Sequence, residues 1–394
     1  MFRKLVLIFI FIWVVNPSSE AQVRVRIFSG RTAESVLFTV TGGKYEIDTY
    51  GSGSLFITKG EMVIISRFNE KIAVKPYNSK GFLCDSIFVK ETADDGSFSI
   101  RINGNVPVRQ YYTGNLNCYP DMGTLLMINS CDIEEYVAGV VRAEGGTGNS
   151  QEYIKTQAVI VRTYMYKNFN KHFSDGFNLC DNTHCQVFNG ISTDSSIVIA
   201  ARKTHNLVII DQDSVLIFSA FHSNCGGETS AAEDVWLSNQ PYLKKVNDPY
   251  CLTSRNAKWQ KSFSSDTWID YLKRSGFSGN INNLTLFNFE QYTRLPEYRA
   301  GSFAIPLRTM RSDLNLRSSF FSVIAKDDSI ILNGRGYGHG VGLCQEGAMV
   351  MAAKGFDYEH IIDFYYTGVI ISDINNAVEL PPNPTFWGIK AATY

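Results

Sequence analysis

Between residue 22 and about residue 112, apolar and polar positions alternate in short runs: Val23–Phe28, Tyr45–Asp48, Ser54–Ile57 and Met62–Ile65. Clusters of Gly, Asn and Asp separate them, which predicts short antiparallel strands in a β-rich N-terminal region, 22–110. Near residue 132 the period changes. Asp132, with Glu135 three residues on and then Tyr136, Val137 and Val140, predicts a capped helix. A second helix opens at Asn149 or Ser150, with Glu152 in its first turn and Ile154, Ala158, Val161 and Met165 on one apolar face. Strands are expected at Leu207–Ile210 and Val215–Phe218, the latter running on towards His222. A helix at Trp268–Lys273 sits in a local insertion over 252–300. Helices at Gln345–Lys354 and Asp357–Tyr366 follow, the second closed by Gly368. The fold class is α+β: the β-rich part, then a mixed helix and strand core with a substrate cleft over 111–372. An extended tail covers 373–394, with Pro381, Pro382 and Pro384.

The 394 residues suffice for one large or two ordinary domains. A formal net charge of -1 leaves no electrostatic footprint for nucleic acid. The first 21 residues add a destination: Arg3 and Lys4, an apolar run from Leu5 to Val15, and Ser19-Glu-Ala21 predict a signal peptide cut after Ala21. The chain is therefore expected in the periplasm or cell envelope, an uncleaved anchor being the alternative. Export permits disulfides among the eight cysteines, and Cys225 with Cys251, both in loops of the core, is the expected pair.

Candidate chemistry begins with Glu144, a lone acid in Val140-Val-Arg-Ala-Glu-Gly-Gly146 between the two helices. An isolated glutamate is ordinarily a solvated loop residue; here its company matters. Lys155 and Arg162, seven apart on the following helix with Gln157 and Tyr164 nearby, form either a stripe for sugar hydroxyls or a solvated face. His172, Cys180, His184 and Cys185 suit tetrahedral zinc, provided the loop turns sharply between the adjacent pair. A Cys180–Cys185 disulfide and free thiols are the alternatives. Phe221-His-Ser-Asn-Cys-Gly-Gly-Glu-Thr229 brings His222 beside Ser223, but neighbouring strand residues face opposite ways, so this is not a hydrolase pair. Gly334-Arg-Gly-Tyr-Gly-His-Gly-Val-Gly342 has five alternate glycines, an enforced loop presenting Arg335, Tyr337 and His339. It is not the G-x-G-x-x-G of a dinucleotide site.

In this order, over roughly 110–370, the segments resemble the stage II sporulation protein D (SpoIID/LytB) family. Tyr112-Thr-Gly114, Asp132 to Val141, Lys155 to Val159, Val161 to Tyr164, Cys180 to Phe188, Arg311 with Leu314 to Phe320, and Gly334 to Ala348 carry the likeness. Arg142-Ala143 and Gly145-Gly146 depart from it, where the family has Pro-x and Met-Pro around the glutamate. The resemblance implies that Glu144 is catalytic, that zinc is structural, and that the substrate is peptidoglycan glycan strands. The expected substrate contacts are Lys155, Gln157, Arg162, His222, Ser223, Arg335, Tyr337 and His339. The implied activity is that of a lytic transglycosylase, cleaving between N-acetylmuramic acid and N-acetylglucosamine with a 1,6-anhydro product. The alternative is a non-catalytic wall binder that stimulates a partner amidase.

Overall fold

The computed structural model describes residues 22–378 apart from 51, 52, 94, 104–106, 237 and 282. The expected signal peptide and the prolines of the tail lie outside the described residues. The alternating runs do form strands, in two sheets. One holds seven, in the order Leu179–Cys180, Gln22–Ile27, Thr124–Asp132, Asn115–Asp121, Ile87–Glu91, Lys44–Asp48, Ser54–Thr58. The other holds six, in the order Val108–Thr113, Ser97–Ile102, Ser35–Gly42, Met62–Phe68, Lys71–Pro76, Phe82–Cys84. Their inner faces meet through aromatic edges: Tyr45 of the first lies 6.1 Å from Phe38 and 5.6 Å from Phe98 of the second, centroid to centroid. Strands on both sides of residue 110 share these sheets. The short strand Leu179–Cys180 pairs parallel with Gln22–Ile27, and this ties the zinc-type loop to the N-terminal β structure.

Eight helices follow among the described residues: α1 (Ile133–Gly145), α2 (Gln151–Lys167), α3 (Ser195–Lys203), α4 (Ala232–Trp236), α5 (Ser265–Arg274), α6 (Leu307–Asp313), α7 (Gln345–Ala353) and α8 (Tyr358–Tyr365). The caps explain the boundaries. Asp132 Oδ1 accepts from the amides of Glu134 and Glu135 at 2.8 and 3.0 Å, and Ser150 Oγ accepts from Tyr153. Glu135 takes the Thr113 hydroxyl, so it fastens α1 to the sheet. The second helix differs from a one-faced amphipathic element. Tyr153, Ile154 and every residue from Thr156 to Thr163 are buried, which makes α2 a core helix with neighbours all round.

Two expectations need correction. Val215–Phe218 does not form a strand; it makes isolated bridges only, Leu216 to Ile210 and Val215 to Val378, while Leu207–Ile210 takes Ile370–Asp373 as its antiparallel partner. That pairing also draws Asp373, expected to begin a tail, into the fold. The insertion is larger than 252–300. Strands Lys258–Ser264, Ser329–Arg335 and Phe321–Lys326 form a three-stranded sheet with α5, α6 and the hairpin Glu297–Ala300/Phe303–Pro306. They enclose a second core around Trp268, Leu272, Tyr298 and Leu332. Ser329–Arg335 runs directly into the glycine loop.

Candidate active site

Glu144 stands in the last turn of α1 rather than on a loop beyond it. Gly146 and Gly148, at φ 75° and 77°, turn the chain towards α2. Its Oε1 accepts from the Val187 amide at 2.9 Å, and its own carbonyl accepts from Gln345 Nε2 at 3.0 Å. The carboxylate's second oxygen makes no hydrogen bond among the described residues. Burial pushes the carboxyl above its ordinary range, against the opposing pull of the Val187 amide. Beneath the helix end, Gly145 rests on Tyr153 and Gln157: a Cβ there would lie 3.5 Å from Tyr153 Oη and from Gln157 Cγ. The Tyr153 hydroxyl and both amide atoms of Gln157 are buried without a partner among the described residues, a polar group of unusual cost next to Glu144.

The other expected substrate contacts separate. Arg162 is fully buried: it forks onto Glu134 and donates to the carbonyls of Leu207 and Ala201 at 3.0 and 3.1 Å. It belongs to the core, and the expected cationic stripe does not form. Lys155 pairs with Glu152 at 2.6 Å and lies over the Tyr358 ring, so it ties α2 to α8. His222 donates from Nδ1 to the Val341 carbonyl at 3.1 Å, while its Nε2 has no partner among the described residues. Ser223 Oγ accepts from the Asn256 side-chain amide at 3.3 Å.

The glycine loop is clasped on both sides. Asn224 and Tyr337 exchange backbone hydrogen bonds, Gly338 donates to Arg317 and Gly340 accepts from Ser230. Arg335 stacks 3.7 Å over Phe320 and donates to the carbonyls of Gln291 and Tyr292 at 2.6 and 3.2 Å, so it organises the loop. His339 packs against Trp236 and His222, and desolvation holds its pKa down at about 4, so it is neutral at physiological pH. Tyr337 alone of the three is exposed. Leu343–Cys344, directly after the loop, pairs parallel with Phe221–His222, and the next residue is Gln345, which holds the Glu144 carbonyl. Gly338 has φ 116° and a Cβ there would meet His222 Cβ at 2.8 Å. Gly338→Val is therefore expected to lower stability by about 1–3 kcal/mol and to impair activity, and Tyr337→Phe to do neither. Paired denaturation and activity curves that coincide for the two variants would refute this.

The four expected metal ligands come together. One donor atom from each of His172, Cys180, His184 and Cys185 lies within 4.8 Å of the others. The thiols are free, so no Cys180–Cys185 disulfide forms. Asn182 makes the sharp turn: its side chain accepts from the His184 amide at 2.8 Å and its carbonyl from the Cys185 amide at 3.0 Å. His172 turns Nδ1 to Asp175 at 3.1 Å and Nε2 towards Cys185, the carboxylate-backed posture of a metal-bound imidazole. Two imidazoles and two thiols in this geometry fit zinc. The loop then delivers Val187, the amide that holds Glu144.

Sequence reasoning missed Val187, Gln345 and the Glu134 partner of Arg162. All three stand in segments that carry the family likeness, but nothing local marks them as partners of Glu144 or Arg162.

Comparison with known proteins identifies the family. Residues 121–210, which hold α1, α2 and the zinc-type loop, match the Stage II sporulation protein (SpoIID) family. An uncharacterized protein of Brachyspira hyodysenteriae (strain ATCC 49526 / WA1) is 31% identical over 376 residues, which is 92% of this chain and 98% of that protein. Stage II sporulation protein D of Bacillus subtilis (strain 168) is 29% identical over 270 residues, 62% of this chain and 76% of its own length. The amidase enhancer of the same organism is 27% identical over 287 residues, 59% of this chain and 40% of that protein. The chain belongs to the SpoIID family and has a cell-wall-related role.

Proposed function

We propose that the chain is an exported lytic transglycosylase of peptidoglycan, with Glu144 as its single acid and base. The observation that carries this reading is the Glu144 carboxyl itself, half-buried, raised in pKa and, among the described residues, hydrogen-bonded through one oxygen only. A glycosidase that adds water commonly needs two carboxylates. A transglycosylase manages with one, because the attacking hydroxyl belongs to the substrate. Glu144 gives its proton to the glycosidic oxygen between N-acetylmuramic acid and N-acetylglucosamine. As carboxylate it then takes the proton of the muramic 6-hydroxyl while that oxygen closes on C1. The products are a free N-acetylglucosamine hydroxyl and a 1,6-anhydro ring, with no net gain or loss of protons. The Val187 amide and Gln345 fix the carboxyl and the helix end. Zinc held by His172, Cys180, His184 and Cys185 would brace the loop that carries Val187, and it takes no part in the reaction.

Mass spectrometry of purified glycan strands incubated with the protein tests this. Anhydro-muramic ends are expected, and intact strands would overturn it. The likeness to an amidase enhancer favours a second reading, a wall binder that stimulates an amidase without cleaving glycan. Intact strands together with faster release of stem peptides by an added cell-wall amidase would establish that reading instead. For the metal, about one zinc per chain is expected at these four residues, lost in Cys185→Ser together with most activity. A fully active, metal-free protein would exclude it.

A further inference from the structure

A second group of ligand-type side chains lies in the core behind the glycine loop. Cys225, Asp248, Cys251 and Cys344 are all buried, and one donor atom from each lies within 4.8 Å of the others. They come from three separate segments: the turn after Phe221–His222, the turn 248–251, and the N-cap of α7. Cys225 Sγ lies 3.3 Å from Cys251 Sγ and 3.2 Å from Asp248 Oδ2. Cys225 and Cys251, the pair expected from sequence to form a disulfide, are free thiols, and a third sulfur, that of Cys344, shares their space.

The surroundings suit thiolates. The amides of Cys225 and Gly347 point at Cys344 Sγ at 3.2 and 3.4 Å, the second of them from the first turn of α7. The buried Arg294 guanidinium donates to the Cys225 carbonyl at 2.7 Å. Asp248 receives the Tyr365 hydroxyl on Oδ2 and the Tyr250 amide on Oδ1, at 3.0 and 2.8 Å. No ion pair engages it among the described residues. A fully buried carboxylate without a cation is expensive, and such groups are ordinarily paired or bound to metal. Gly347 keeps the space clear, since a Cβ there would fall 2.3 Å from Asp248 Oδ2.

We propose that Cys225, Cys251, Cys344 and Asp248 form a second zinc-type metal site. Three sulfurs and one carboxylate oxygen are a donor set for a borderline-soft, tetrahedral divalent cation. With zinc–sulfur bonds of about 2.3 Å, a tetrahedron sets its sulfurs roughly 3.8 Å apart; Cys225 and Cys251 stand 3.3 Å apart and all four donors lie within 4.8 Å of one another, so a small outward shift of that pair admits the ion. The ion joins the turn that clasps the glycine loop to the N-terminus of α7, one residue before Gln345. It is therefore a structural clamp on the segment that holds the Glu144 carbonyl. This inference does not depend on whether Glu144 cleaves glycan.

Metal analysis of the full chain, purified and reloaded with zinc alone under reducing conditions, tests it. Two zinc ions per chain are expected, and one in His172→Ala/Cys185→Ser. That variant loaded with cobalt(II) should show thiolate-to-cobalt absorption, and at a three-thiolate site it should exceed that of a two-thiolate site in the ratio three to two. Cys251→Ser in the otherwise unchanged chain should retain one metal. Should Cys251→Ser fail to fold, the cobalt spectrum of His172→Ala/Cys185→Ser decides alone. A His172→Ala/Cys185→Ser variant that is folded but holds no metal after reloading would overturn the proposal. So would a Cys225–Cys251 disulfide found by non-reducing peptide mapping of the protein as purified.

Discussion

Glu144→Gln is expected to abolish glycan cleavage, by about 10²-fold or more, with fold and glycan binding nearly intact. The reason is local. Glutamine keeps an oxygen for the Val187 amide and keeps the backbone carbonyl that Gln345 holds, so the helix end loses none of its anchors. It loses only the proton that moves. The pH profile supplies a second reading of the same residue. Burial raises the carboxyl's pKa, which favours the protonated form that the acid step requires. Activity should be highest below that pKa and fall as pH rises through it, because deprotonation removes the acid. The ordinary carboxylate value would place this loss lower on the pH scale. A Gln variant with wild-type rates, or a wild type whose rate climbs steadily through the same range, would remove Glu144 from the chemistry.

Local signals carried much of this site. Asp132 and Ser150 mark helix starts by side-chain chemistry alone, and both caps form where those residue types require them. The His172 to Cys185 cluster is legible because its four ligands lie within fourteen residues and the turn at Asn182 is short. Long-range partners are what sequence hides. Arg162 looked like an open cation because Glu134, its acid, stands 28 residues away across a helix pair. Cys225 and Cys251 looked like a disulfide because Cys344, 119 residues after Cys225, gives no local sign that it shares their space. Val215–Phe218 has a strand composition, but it makes only single bridges, to Ile210 and to the distant Val378, and Ile370–Asp373 supplies the strand that pairs with Leu207–Ile210. In each case a tertiary partner decides what a good local pattern becomes.

Glu134→Ala is expected to lower stability by about 3–5 kcal/mol, the cost of leaving a buried charge without its counter-ion. Arg162 has no exposure of its own, and it binds four parts of the core at once: α1 through Glu134, α3 through the Ala201 carbonyl, the strand Leu207–Ile210 through the Leu207 carbonyl, and α2, on which it stands. Arg162→Lys should also destabilise, because a lysine cannot fork onto a carboxylate and reach two carbonyls. An apolar exchange of both partners, Glu134→Leu with Arg162→Met, should cost less than the two single changes added together, since no charge is then stranded. Denaturant midpoints for the two singles and the double measure this directly. The pair stands at the opposite end of α1 from Glu144, so whatever fraction of Glu134→Ala remains folded should keep wild-type activity per folded molecule. A midpoint shift worth less than about 1 kcal/mol for Glu134→Ala would mean that water reaches the Arg162 guanidinium. Arg162 could then face a ligand after all, as its spacing from Lys155 first suggested.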